Sequence, residues 1–404
     1  MKIYSNKDVV SATRDRIAYI FDNFPDVIVG FSGGKDSTVA LNLALEIATE
    51  KKKLPLKVLW IDQEAEWQGT VDYCTKIFED SRIEPLWYQI PLAMINNASS
   101  FNYLRYCWNK EDEDVWIHPQ HPLSIKENTY NQERFHGIFG AILNKDFAGK
   151  PTAYIAGMRA EEAPKRFVSL TSSPVYKWIT WGKILSKKHN HYTFYPMYDW
   201  SYTDVWKYIH DNKIEYNEVY DKMYRHGVPL TNMRVSNLHH ETALQSLLIV
   251  QEIEPDTWNK LTRRLDGVGS IKHIKKHSYT TIDKLPYMFK DWEEYANHII
   301  ENIVQEEHNK KIIKDAIYNS KRFGIKHYNT NEYIREKYWR TIIDTALSND
   351  WDLTKMTNFV MRPETYSYRC YHEGKYHKIH KNNLTNKFFT PEEKQHIWKI
   401  LQER

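Results

Sequence analysis

Val27-Ile28-Val29-Gly30-Phe31-Ser32-Gly33-Gly34-Lys35-Asp36-Ser37 is the stretch whose reading decides the fold. The short β-branched run ending at Phe31 reads as a buried strand. The residues from Ser37 to Ala48 read as a helix. Between them lies Ser-Gly-Gly-Lys-Asp-Ser. Two glycines let backbone amides turn toward an anion without Cβ interference. Ser32 and Ser37 add hydroxyl donors, and Lys35 adds a point charge. The new helix aims its N-terminal amides and the positive end of its dipole at the same spot. This is the pattern of a pyrophosphate cradle. It lacks the GxxxxGK[ST] spacing of a Walker A loop and the GxGxxG spacing of a dinucleotide fingerprint. A plain Gly-Gly turn with incidental neighbours would leave the lysine and both hydroxyls unexplained.

Outward from this stretch the same rhythm repeats. Asp8 to Phe24 carries Val9, Val10, Ile17, Ile20 and Phe21 on helical spacing, and Pro25 ends it. Leu56 to Asp62, Pro85 to Ile90 and Ala153 to Gly157 read as further strands, with a helix from Glu66 to Glu79. Strands alternating with helices predict an α/β fold with a doubly wound parallel sheet. Residues 91–150 interrupt it. With Tyr106, Trp108, Trp116, His118-Pro119 and His121-Pro122 they read as an irregular aromatic insertion, with a helix near Asn131 to Leu143. Beyond Thr231 strand signals fade, and Leu238–Val250, Asp256–Leu265, Asp291–Asn319 and Asn331–Leu347 read as helices. The expected domains are therefore 1–230, an α/β domain, and 231–404, an all-α domain.

Composition narrows the class. With 404 residues, 41% hydrophobic and 27% charged, the chain reads as a soluble globular protein, not a disordered one. The net charge of +4 excludes a strongly basic coat as a global property. Its distribution is uneven: residues 261–404 hold 26 Lys+Arg and 19 Asp+Glu, a balance of +7, which leaves 30 and 33, a balance of −3, for residues 1–260. The basic, aromatic strip from Cys370 to Lys381 reads as a solvated face or as a contact for nucleic acid. Cys74, Cys107 and Cys370 form no CxxC pair, which excludes a disulfide scaffold, a four-cysteine zinc site and a self-contained iron–sulfur cluster. Cys370, His372, His377 and His380 fit no standard zinc spacing. No run of about 18 apolar residues occurs, and the N-terminal residues lack a signal-peptide core. The expectation is a cytoplasmic protein with no membrane partner.

Ser32-Gly33-Gly34-Lys35-Asp36-Ser37 resembles the PP-loop signature of the adenine nucleotide α-hydrolase-like superfamily, which includes the N-type ATP pyrophosphatases and the PAPS reductases. Gly157-Met158-Arg159-Ala160-Glu161-Glu162-Ala163-Pro164-Lys165-Arg166 is similar to the PAPS reductase branch's G-x-R-x-x-E-S-x-x-R motif. Tyr195-Pro196-Met197-Tyr198-Asp199-Trp200-Ser201 through Trp206 resembles its Y-P-I-x-D-W motif, and Tyr216-Asn217-Glu218-Val219-Tyr220-Asp221 its N-x-x-Y-D pattern. Asn232-Met233-Arg234-Val235-Ser236, Glu254-Pro255-Asp256-Thr257-Trp258 and Arg264-Leu265-Asp266-Gly267-Val268 resemble a subgroup with a C-terminal domain of unknown function, DUF3440. That subgroup includes bacterial proteins described as immunoglobulin-binding regulator A. One departure stands out: Ala163 replaces the usual Ser, which removes a hydroxyl from the expected nucleotide site.

Several residues then acquire expected roles. The nucleotide-binding set is Ser32, Gly33, Gly34, Lys35, Asp36, Ser37, Asp62, Gly157, Arg159 and Arg166. Asp62 ends the second strand, where open α/β sheets place ligands, so it is a candidate for ribose, adenine or Mg2+; a helix cap is the plainer alternative. Asp36 is a second candidate for Mg2+, which takes one or two carboxylates plus phosphate oxygens, or else caps the helix. Gly157 permits a close approach beneath an adenine. Arg159 forks onto a phosphate, sulfate or carboxylate, or pairs with Glu161 or Glu162. Arg159 and Arg166 would share a face on a continuous helix. Asp199 or Ser201 reads as a helix cap.

The expected chemistry is attack of an acceptor oxygen on the α-phosphorus of ATP, with pyrophosphate leaving and Lys35, Asp36 and Arg159 as catalytic residues. The alternative is a thiol-dependent reductase acting on PAPS or APS. The resemblance implies a Glu-Cys-Gly-[Leu/Ile]-His motif for that reaction, and this chain has Arg369-Cys370-Tyr371-His372. A third reading is a nucleotide-binding regulatory or defence component. There the resemblance implies a ParB-like protein partner, and the basic C-terminal half suggests nucleic acid.

Overall fold

The computed structural model describes residues 6–96, 104–162, 164–171, 175–235, 237–238, 244–269, 284–304, 306–322, 331–347, 350–384 and 388–402. Helix α1 (Val9–Asn23) is capped by Asp8, whose carboxylate accepts from Ser11 N–H at 2.9 Å. Strand β1 (Asp26–Gly30) leads through the glycine loop into α2 (Lys35–Glu50). Then follow β2 (Leu56–Ile61), α3 (Gln68–Phe78), β3 (Ile83–Tyr88), β4 (Leu92–Ile95), β5 (Leu104–Cys107), α4 (Phe135–Asp146) and β6 (Thr152–Ile155). After α5 (Pro164–Thr171) come β7 (Val175–Tyr176), β8 (Ile179–Ser186) and β9 (His191–Phe194). Helices α6 (Tyr202–Asp211), α7 (Val219–Arg225), α8 (Leu244–Ile253) and α9 (Pro255–Arg264) complete the first unit.

The main sheet has seven strands in the order β3-β2-β1-β6-β9-β8-β7. The first five are parallel, and β9, β8 and β7 pair antiparallel. Strand β1 shows why the core forms on both faces. Its side chains alternate, so Val27 and Val29 join the cluster holding Ile17, Ile20, Phe21, Val39 and Leu43, while Ile28 joins Leu59, Tyr88, Ile138 and Ile142. A strand buried on both sides needs the continuous apolar run seen in the sequence. The fold is thus α/β and doubly wound, as expected.

Three expectations change. Part of the antiparallel edge carries no standard turn signal: the hairpin between β7 and β8 turns on Lys177 and Trp178, both with positive φ (44° and 64°), where Asn-Gly is usual. The aromatic segment is not irregular throughout. β4 and β5 form an antiparallel ladder, and Trp108 packs edge-on against Trp116 and His118. The helix expected over Asp291–Asn319 is broken into α10 (Trp292–His298), a π turn at Ile299–Ile303 and α11 (Glu307–Arg322).

The chain divides into two compact units at 268/269, so α8 and α9 belong to the first and not, as expected from the boundary at 230, to the second. The second unit continues with α12 (Glu332–Leu347), α13 (Thr354–Met361), α14 (Pro363–His372) and α15 (Pro391–Gln402). All its described regular elements are helical, around Ile334, Tyr338, Ile342, Phe359 and Phe389. Among the described residues no helix is long and apolar enough to cross a membrane.

Candidate functional site

The strand order creates a crevice. From β1 the chain moves outward to β2 and β3, and later returns to β6 on the other side of β1. The turns after β1 and β6 therefore diverge, and the space beyond the carboxyl ends of these two strands is the topological switch point where such sheets bind ligands. The glycine loop follows β1, and Gly157 and Arg159 follow β6.

The two turns touch. A Cβ at Gly157 would lie 2.9 Å from the carbonyl carbon and oxygen of Asp36 and 3.0 Å from Ser37 N. Glycine is needed there by the protein's own backbone at the start of α2, where the sequence suggested an adenine. Gly33 has φ +67°, and a Cβ on it would stand 2.9 Å from both Cys74 Sγ and Thr70 Cγ2. Ser37 Oγ donates to Gly34 O at 2.9 Å and accepts from Ser32 N–H at 3.3 Å, which closes the loop on itself.

Two residues quoted only as part of a motif prove to hold this loop. Asn217 is fully buried; its amide donates to Thr70 Oγ1 at 2.8 Å and Gly33 O at 3.3 Å, and its oxygen accepts from Val219 N–H at 3.0 Å. Tyr220 Oη accepts from Lys35 N–H at 3.1 Å, and Lys35 Nζ lies 5.4 Å from the Tyr220 ring centroid. Burial pushes the Tyr220 phenol above its ordinary value, so it stays neutral.

Charge in the crevice is already paired. Asp36 receives Lys35 Nζ at 3.2 Å on one oxygen and Arg159 Nε on the other. Arg159 also reaches Glu161 at 3.3 Å, and its own N–H donates to Glu162 at 3.2 Å. Arg166 does not share a helical face with Arg159. A 3-10 turn (Ala160–Glu162) precedes α5, and Arg166 pairs with Glu162 at 3.0 Å on a half-exposed side chain. Ala163 and the side chain of Lys165 lie outside the described residues. Of the helix-cap candidates, Ser201 forms a capping box with Asp204, while Asp199 grips Arg16 through two bonds of 2.8 and 2.7 Å.

Asp62 departs from its expected role. It is 0% exposed, and its carboxylate accepts from Glu64 N–H at 2.9 Å, Gln89 Nε2 at 2.8 Å and Trp87 Nε1 at 3.2 Å, with His118 Nε2 at 3.4 Å. Burial alone would lower the His118 pKa, but Asp62, together with the Pro119 carbonyl and Glu64, outweighs it and the net direction is upward. These partners come from the turn after β2, from β3 and the residue after it, and from the aromatic segment, and each Asp62 carboxylate oxygen already has two of them. The expected pair for Mg2+, Asp36 and Asp62, does not come together as a pair: Asp62 is enclosed, while Asp36 carries Lys35 and Arg159 in the ligand-free protein. Among the described residues no group of three or more His, Cys, Asp or Glu is placed to hold a metal, including the His372 region, where His372 faces Glu393 at 3.6 Å.

All three thiols are buried. Burial, together with Glu66 and Asp62, pushes the Cys74 pKa well up, and burial with Glu64 does the same to Cys107. Reactive cysteines need the opposite shift. Cys370 is 1% exposed, inside the apolar core of the second unit.

Beside the crevice, the turn between β2 and α3 rests on side chains to which the sequence pattern assigned no role at this site. Glu64, 0% exposed, binds Arg264 at 2.7 and 3.1 Å, Arg105 at 2.9 Å and Trp108 N–H at 3.0 Å. Burial still raises its pKa against the pull of Arg264. Glu254 accepts from Gln68 N–H at 2.7 Å and Gly69 N–H at 3.0 Å at the start of α3.

Comparison with known proteins places this geometry. An uncharacterized protein of Escherichia coli (strain K12), YbdN, is 29% identical over 365 residues, 85% of this chain and 89% of YbdN. An uncharacterized protein of Methanocaldococcus jannaschii is 25% identical over 241 residues, 59% of this chain and 47% of that protein. Among solved structures, a phosphoadenylyl-sulfate (PAPS) reductase of Candida auris in a phosphate complex aligns with TM-score 0.33 and 14% identity, covering 59% of this chain and 98% of that one. An FMN adenylyltransferase of Candida glabrata with FMN and an ATP analogue aligns with TM-score 0.33 and 14% identity, covering 54% of this chain and 64% of that one. Residues 227–361 match the domain of unknown function DUF3440. Residues 26–228, from the start of β1 through the glycine loop, Gly157, Arg159, Asn217 and Tyr220, match the phosphoadenosine phosphosulfate reductase domain, and the chain belongs to that family.

Proposed function

We propose that the protein binds ATP with its phosphate chain in the Ser32–Ser37 loop and transfers the adenylyl group to an acceptor, releasing pyrophosphate. The observation that carries this reading is the meeting of two cations, Lys35 and Arg159, on Asp36 at the mouth of the loop that opens α2. In the ligand-free protein Asp36 supplies their counter-charge. A polyphosphate entering the crevice brings oxygens that take over this pairing, at the N-terminal end of a helix suited to anions.

The reaction needs little covalent chemistry from the protein. An acceptor oxygen forms a bond to the α-phosphorus while the bond from that phosphorus to the bridging oxygen breaks. The electron pair leaves with pyrophosphate. Lys35, Arg159 and the first turn of α2 stabilise the charge on the leaving group. A carboxylate or phosphate acceptor arrives deprotonated and needs no general base. Sulfonucleotide reduction through Cys370 gains no support, because that thiol is enclosed in an apolar core.

Incubation with α-labelled ATP and candidate carboxylate or phosphate acceptors tests the reading. Labelled AMP or an adenylated product, formed by the wild type and lost in Lys35→Ala, supports it. Equal turnover in both proteins, or none in either, refutes it.

A further inference from the structure

The opening of the DUF3440 segment converges on one short stretch of the first unit. Leu238 N–H donates to Ala65 O at 2.8 Å, and Asn237 Nδ2 reaches Glu66 Oε1 at 3.4 Å. Glu254, buried, holds the amides of Gln68 and Gly69 and accepts from Thr257 Oγ1 at 2.8 Å. Arg264 forks onto Glu64, reaches Tyr106 O at 3.0 Å and pairs with Asp112 at 2.9 Å. The targets are Glu64, Ala65 and Glu66, in the turn between β2 and α3, and Gln68 and Gly69, the first two residues of α3.

That turn is not held by its own backbone preference. Glu64 has φ +71°, a left-handed conformation that a non-glycine residue keeps only where neighbours over-determine it. The residue after the clamped amides, Thr70, touches the phosphate loop: its Cγ2 fills the space a Gly33 Cβ would need, and its hydroxyl shares Asn217 with Gly33 O. A shift of the α3 N-terminus would therefore press directly on Gly33.

We propose that this part of DUF3440 is an internal clamp on the β2–α3 turn, with Glu254 and Arg264 as positioning residues for the phosphate loop. The inference rests on the nucleotide reading only for what the loop binds. DUF3440 then begins as a component of the nucleotide-binding unit, and the family boundary near residue 228 is not a functional boundary.

Hydrogen–deuterium exchange on the full-length protein, with tripolyphosphate titration on the same samples, tests the clamp. In Glu254→Ala and Arg264→Ala, amides of residues 62–70 should exchange at least about tenfold faster while α1 and β9 keep wild-type protection. Tripolyphosphate binding should weaken by about tenfold in parallel, with Glu254→Gln and Arg264→Lys intermediate. Unchanged exchange at 62–70 overturns the clamp, as does loss of protection spread over the whole first unit, which marks a purely structural role. Faster local exchange with no tripolyphosphate or ATP bound by any form, wild type included, retains the clamp and removes the nucleotide reading.

Discussion

The guanidinium of Arg159 rests on the carboxylate of Asp36, 123 positions earlier in the chain, and Lys35 Nζ approaches the same carboxylate at 3.2 Å. One acidic side chain thus contacts both cations, and Glu161 shares Arg159 with it. An incoming polyphosphate competes with it. Asp36→Asn removes the competitor while keeping the size of the side chain. Tripolyphosphate in the presence of EDTA should then bind about tenfold tighter, one step of about 1.4 kcal/mol. Titration calorimetry measures this. Weaker binding by the variant would mean that Asp36 orders the cations more than it blocks them.

Asn217 joins three backbone and side-chain groups around Gly33. Asn217→Ala strips Thr70 Oγ1, Gly33 O and Val219 N–H of their shared partner in a fully buried place. Unfilled buried hydrogen bonds cost about 1–3 kcal/mol each, and partial relaxation leaves an expected loss of about 2–3 kcal/mol in denaturant unfolding. A loss below about 0.5 kcal/mol would show that the loop holds its form without Asn217.

Glu66 is buried, and burial with the nearby Asp62 charge holds its carboxyl well above the ordinary 4.5. A raised carboxyl favours the folded state while protonated. Its contribution is complete below 4.5 and is lost as pH rises through the folded value. Glu66→Gln keeps an acceptor for Asn237 and cannot ionise. The variant should match the wild type near pH 4.5 and exceed it progressively in thermal stability toward pH 8. A constant difference across this range would place Glu66 outside the titration.

Cys370→Ser separates the proposed adenylyl transfer from thiol-dependent sulfonucleotide reduction. The thiol lies in the core of the second unit, so the serine should lower stability by about 1 kcal/mol or more through an added buried hydroxyl. AMP and pyrophosphate formation from ATP should be unchanged. Sulfite formation from PAPS that disappears in this variant would reinstate the reductase reading.

Legibility in the sequence followed locality. The passage from β1 through the glycine loop to α2 was readable because each signal sits beside the next: β-branched residues, Gly33 in the left-handed region and a helix opening at Lys35. Gly157 was recognised as a close-approach glycine, but its neighbour proved to be the Asp36 backbone, which no local pattern reveals. Asp62 was misread because its position at a strand end is local, whereas Trp87, Gln89 and His118, which enclose it, come from later segments. Glu254 and Arg264 act on residues 185 and 200 positions earlier, and the stretches they open carried only a family resemblance and a helix, with no partner named. The β7–β8 hairpin escaped because a Lys-Trp turn supplies positive φ without glycine or asparagine.

ATP binding by titration calorimetry to the wild type and to Lys35→Ala is the most direct measurement, with Cys370→Ser as a control for a change outside the loop. Binding by the wild type and by Cys370→Ser, weakened at least about tenfold in Lys35→Ala, is the expected result. A wild type that does not bind ATP, or a Lys35→Ala protein that binds it equally well, would contradict a phosphate site in the Ser32–Ser37 loop.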